Sequence, residues 1–109
     1  MLDKKTFVVV RNDGVGAELS PGSIFHFRQS GKKVSADYMG TKVVRGHLEG
    51  EIRDGMLFHH YEQYDKDGKK YSGNAKARII LKDDGKMQLL DEWEWESQKG
   101  KGSCLMEEV

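Results

Sequence analysis

The sequence predicts an all-β fold: eight antiparallel strands that follow one another up and down and close into a barrel. Three observations predict it. Apolar and polar residues alternate with a period of two along most of the 109 residues, and no window carries a convincing 3.6-residue period. Short turn signals separate the alternating runs, among them Ser30-Gly31, Gly40-Thr41 and Asp54-Gly55. The sharpest alternation is MQLLDEWEWE, Met87 to Glu96, which puts Trp93 and Trp95 on one face of a strand and Glu92, Glu94 and Glu96 on the other.

In chain order, Lys5–Arg11 is β-branched and reads as a strand, followed by an irregular stretch over Asn12–Gly22. Ser23–Gln29 alternates, with Phe25, Phe27 and Gln29 on one face. Lys33–Met39 alternates again and groups Val34, Ala36 and Tyr38. Lys42–Ile52 leads through Asp54-Gly55 into Met56–Tyr64, and Lys66-Asp67-Gly68 leads into Lys70–Lys82. After Asp83-Asp84-Gly85 comes the Trp strand, then a loop over Ser97–Lys101 and a last strand, Ser103–Glu108.

Turn length sets the register. A three-residue Asp83–Gly85 loop pairs Leu81 with Met87, Ile79 with Leu89, Ala77 with Asp91, Ala75 with Trp93 and Gly73 with Trp95, and puts Lys76 opposite Glu92. A two-residue loop would mix the faces. The Lys66–Gly68 loop pairs Tyr61 with Gly73, His59 with Ala75 and Leu57 with Ala77. A two-residue Asp54-Gly55 turn pairs Ile52 with Leu57, Gly50 with His59, Leu48 with Tyr61 and Gly46 with Gln63. A Ser30-Gly31 turn pairs Phe27 with Val34 and Phe25 with Ala36.

A chain of 109 residues is one domain, here 1–109, and buries roughly two-thirds of its unfolded surface. The single Cys104 has no partner for an internal bridge, which suits a reducing compartment. The apolar run in LDKKTFVVVRND is too short for a secretion signal, and the chain reads as cytoplasmic. No segment approaches the ~20 apolar residues of a membrane span. Eighteen basic and eighteen acidic residues cancel, which argues against a nucleic-acid or anionic-membrane surface.

The expected interior is apolar over Phe25, Phe27, Val34, Ala36, Leu48, Ile52, Leu57, Ile79, Leu81, Met87 and Leu89. Toward one end it turns polar and aromatic, with Gln29, Tyr38, His59, Tyr61, Gln63, Asp91, Trp93 and Trp95. Gly46, Gly50 and Gly73 leave space among them. An eight-stranded barrel is just wide enough to be filled by side chains or to hold one small ligand. Both readings stand: those polar groups could line a pocket, or satisfy one another in a filled core.

Catalysis would need a tuned acid or base beside a reacting atom, and Asp91 and His59 are the inward candidates. No nucleophile has a base partner, so an enzyme is the lesser reading, and Cys104 is expected to pack. His47, Glu49, His60 and Glu62 form an outer His/Glu ladder that needs no metal. Arg11–Ala17 fits an Arg-x-x-Gly-x-Gly/Ala pattern that cradles a coenzyme pyrophosphate, but the chemistry needs a helix start there, and Pro21-Gly22 follows too soon.

SIFHFRQSGKKVSADYMG, VVRGHLEGEI, HYEQYDKDG, LLDEWEWES and KGSCLMEEV together resemble a family of short bacterial proteins catalogued under the label N-acetylglutamate synthase. The resemblance runs from Phe7 onward. It rests most on Trp93-x-Trp95, Tyr61-x-Gln63, the Gly-x-Leu-x-Gly of Gly46–Gly50, and Gly102-Ser103 with Glu107-Glu108. The label implies acetyl transfer from acetyl-coenzyme A to glutamate, whereas this chain has no βα pattern. Members usually read Phe-x-Tyr where this chain has Phe25-His26-Phe27, so one hydroxyl is absent.

The architecture expected is calycin-like. The short link between the first two strands leaves no room for a two-helix lid, so the avidin-like variant fits better. The residues alone assign no activity. The leading function is binding a small polar or aromatic molecule at the Trp-rich end. Trp93, Trp95 and Tyr61 would stack on it, Gln29, Gln63, His59 and Asp91 would hydrogen-bond it, and Tyr38 would line the same end. No cofactor or metal is implied. The alternatives are a protein-interaction or assembly module using Ile24, Met56, Phe58 and Tyr64 on the outside, which leaves self-association open, and a small enzyme.

Overall fold

A computed structural model describes all residues, 1–109. It has eight strands: β1 Thr6–Gly14, β2 Ile24–Ser30, β3 Lys33–Met39, β4 Arg45–Arg53, β5 Met56–Tyr64, β6 Lys70–Leu81, β7 Met87–Trp95 and β8 Lys101–Glu108. Each pairs antiparallel with the next, and β8 returns to β1, closing the barrel in sequence order. Closure leaves no unpaired sheet edge.

The registers across β4, β5, β6 and β7 are those the turn lengths require. Ile52 faces Leu57, Tyr61 faces Gly73, and Ala75 faces Trp93. The β2–β3 register differs: Phe27 faces Ala36 and Phe25 faces Tyr38, with Ser30 opposite Lys33. The turn is therefore Gly31-Lys32, not Ser30-Gly31. Gly31 sits at φ +60°, so the glycine takes the first loop position, where a two-residue hairpin turn with glycine leading needs it. The slip is by two residues, so every side chain keeps its face.

β1 runs three residues further than expected, through Asn12–Gly14, because β8 begins early at Lys101 and pairs with it. A β-bulge between Val9 and Arg11 interrupts that pairing. β4 starts at Arg45, later than expected, and the preceding residues form a loop in which Val43 turns inward, 2% exposed.

Phe25, Phe27, Val34, Ala36, Leu48, Leu57, Met87 and Leu89 are buried as expected. Leu81 is not: as the last residue of β6 it lies at the rim, 72% exposed. Ile52 and Ile79 are half-buried for the same reason, being near strand ends. The core gains Phe7, Val9, Cys104 and Met106, whose strands had no assigned register, and Leu2, which precedes β1. Leu2 plugs the end that carries the chain termini. Its backbone N–H donates to Gln29 Oε1 at 2.8 Å, and Lys4, at φ +61°, turns the chain back toward β1.

Outside, His47 faces Glu62 and Glu49 faces His60 in register. The close contacts run elsewhere: His47 to Asp37 at 2.8 Å and to Glu49 at 3.3 Å, and His60 to Glu96 at 3.0 Å. Of the four outer apolar residues expected to be exposed, only Ile24 is. Phe58 and Tyr64 are half-buried beneath the guanidinium groups of Arg53 and Arg45, 4.3 and 4.2 Å from the ring centres, and Met56 is half-buried too.

Candidate functional site

The end opposite the Leu2 plug carries the β1–β2, β3–β4, β5–β6 and β7–β8 connections. Alternation aims His59, Tyr61 and Gln63 inward from β5, Asp91, Trp93 and Trp95 from β7, and Tyr38 from β3. All seven line one cavity near this end. Gln29 does not join them. It stands two residues before the Gly31-Lys32 turn, so its place on β2 is at the plugged end, where it binds Leu2 and the Gly31 carbonyl.

Strand β6 makes this meeting possible. Its inward row is Gly73, Ala75 and Ala77, so side chains from β5 and β7 touch across it although their strands do not pair. His59 Nε2 lies 2.9 Å from Asp91 Oδ1, with the His59 side chain 4% and the Asp91 side chain 8% exposed. The Tyr61 hydroxyl reaches over to donate to the Glu94 carbonyl at 3.3 Å, and its ring meets Trp95 edge-on at 5.6 Å. The space at Gly73 is thus filled by Tyr61 rather than by the facing Trp95. Trp93 leans instead over Gly14 and Gly102 on the β1–β8 side.

The Tyr38, Trp93 and Trp95 donors are also spent on the protein. Tyr38 Oη donates to Gln63 Oε1 at 2.8 Å, and its ring stacks on Phe25 at 4.3 Å. Trp93 Nε1 donates to Asn12 Oδ1 at 2.8 Å and Trp95 Nε1 to the Gly16 carbonyl at 3.3 Å. One buried polar atom has no partner: His59 Nδ1. An orphaned buried acceptor or donor costs about 1–3 kcal/mol.

Burial pushes the Tyr38 and Tyr61 hydroxyls above the ordinary phenol value, and the Asp91 carboxylate adds to both shifts. Burial, with the same carboxylate, pushes the Cys104 thiol up to about 12. The phenols therefore stay protonated at neutral pH, and Cys104 is a packed thiol rather than a thiolate nucleophile.

The cavity is small, about 40 Å³. One water needs roughly 10–15 Å³ of such space, so it holds about three. Its roof is the β1–β2 loop, where Ala17, Glu18 and Leu19 complete the lining. Asn12 Nδ2 donates to the Leu19 carbonyl at 3.0 Å, so one side chain grips both the loop and Trp93. Asn12, this loop and Cys104 are site residues that the alternation did not reveal. Strict alternation from Phe7 and Val9 would turn Arg11 and Asp13 inward. The bulge shifts the face by one, which brings Asn12 in and sends Arg11 out.

The chain matches, over residues 1–109, a family model described as Avidin-like protein. It belongs to that family, and the closed eight-stranded antiparallel barrel agrees with it. No curated protein and no solved structure matches the chain.

Proposed function

We propose that this avidin-like barrel binds a small molecule in the cavity beneath the β1–β2 loop. The observation that carries the reading is His59 Nδ1, a buried polar atom without a partner on the wall of a cavity framed by Trp93, Trp95, Tyr61 and Tyr38. A filled core would satisfy that atom; a binding site leaves it for the ligand. Aromatic walls with a few polar groups are the usual composition of such a site. A ligand of a few heavy atoms fits as the cavity stands, and a larger one enters by lifting Ala17–Leu19.

Both tryptophans report on the site. A fragment and metabolite set is screened by thermal shift, and hits are titrated by tryptophan fluorescence. A ligand at 100 times its Kd raises stability by about 2.7 kcal/mol, and its fluorescence change saturates. No compound moving either signal, with a map showing the space around Trp93 closed, would overturn the reading.

A further inference from the structure

The hydrogen-bond inventory of the cavity says which ligand chemistry it takes; this rests on the binding reading above. The Tyr38, Tyr61, Trp93 and Trp95 donors are all committed to protein acceptors. What stays open is mostly acceptor capacity. His59 Nε2, facing the Asp91 carboxylate, is the donor of that pair, and in the neutral imidazole this makes the unpartnered Nδ1 a lone pair. Asp91 receives His59 on Oδ1, and its Oδ2 takes no hydrogen bond from the protein.

The charges point the same way. The lining contains the carboxylates of Asp91 and Glu18 and no Lys or Arg. Asp91 is 6% exposed, and the His59 imidazole is the one protein group that hydrogen-bonds its carboxyl. Aromatic rings line the same cavity: Trp93 and Trp95 lie 5.6 Å apart at 58°, and Tyr61 meets Trp95 edge-on. Faces of aromatic rings attract cations and do nothing for anions.

We infer that the cavity takes a small organic cation, an amidinium or primary ammonium group. Its N–H groups bond Asp91 Oδ2 and His59 Nδ1, and its charge meets the rings of Trp93, Trp95 and Tyr61. Ligands whose recognition needs donors from the protein, such as carboxylates and simple carbonyl compounds, find only the Gln63 amide nitrogen uncommitted.

The test uses probes of one size at constant ionic strength: acetamidinium and methylammonium as cations, acetamide as the neutral isostere and acetate as the anion. Probes this small bind in the micromolar to millimolar range. The expected result is saturable tryptophan fluorescence with acetamidinium, at least tenfold tighter than with acetamide and with no saturation by acetate. The His59 Nδ1 nitrogen resonance shifts along the same isotherm. Asp91→Asn weakens acetamidinium at least tenfold. If that variant fails to fold, the wild-type selectivity and the His59 resonance decide the matter alone. Acetamide or acetate binding as tightly as acetamidinium overturns the cationic class and leaves small-molecule binding standing. No saturable response from these probes or from the wider screen overturns both.

Discussion

Gly46 shows how a single residue can shape the site from a distance. It faces Tyr38 across the β3–β4 ladder, and a methyl group built on it would fall within the Tyr38 ring, 2.6 Å from Cδ2. That ring cannot retreat, because it stacks on Phe25 and its hydroxyl is fixed on Gln63. Gly46→Ala is therefore an overpacking change, expected to cost about 1–3 kcal/mol. In thermal unfolding the midpoint falls by roughly 5–20 °C. A variant within 0.5 kcal/mol of wild type would show that the ring is not held as described. The choice of glycine is legible as spacing in the sequence. Which ring fills the space is not: Tyr61 and Trp95 both face Gly73 in register, and it is Tyr61 that occupies it, because register fixes a Cβ and leaves χ1 to the neighbours.

At the scale of elements, the informative pair is β1 and the loop that follows it. The bulge after Val9 turns Asn12 inward, and its amide joins Trp93 on β7 to Leu19 in the loop. Asn12→Ala removes both bonds and leaves the indole N–H of Trp93, itself 7% exposed, without a protein acceptor. The expected loss is about 1–3 kcal/mol, read as a lower urea midpoint, together with faster proteolytic cleavage between Val15 and Pro21. Unchanged cleavage would mean that the loop is held by other contacts. The β2–β3 hairpin teaches a companion lesson. Its faces were legible from alternation, but its register hung on which loop position Gly31 takes.

For the whole molecule, burial ties stability to pH on the alkaline side. Tyr38, Tyr61 and Cys104 all hold their protons more tightly folded than unfolded. A raised folded value means that the unfolded chain releases its proton first. The stability these groups contribute is fully present below the unfolded values, 9.0 for the thiol and 10.0 for the phenols, and is lost as pH rises through the folded ones, about 12 for Cys104. Urea unfolding measured across pH is expected to show no pH dependence from these groups below about pH 8 and a steepening loss of stability above about pH 9. Tyr61→Phe flattens that loss. An equal slope in the variant would mean that Tyr61 ionises alike in both states.

By itself the sequence determined the fold class, the number of strands, the register from β4 to β7 and the inward facing of seven of the eight candidate residues at one end, because period-two alternation and turn length act locally and leave few ways to close. It did not place Gln29, which shares an inward face with the others but lies at the opposite end; alternation fixes a face and not a height along the barrel. It did not show the Leu2 plug or the Asn12 grip, since both depend on contacts between segments far apart in the chain. Only the tertiary structure brought His59 to Asp91 over the small residues of β6, and left His59 Nδ1 without a partner. That pairing crosses an intervening strand, and it exists only once the sheet has curved into a barrel.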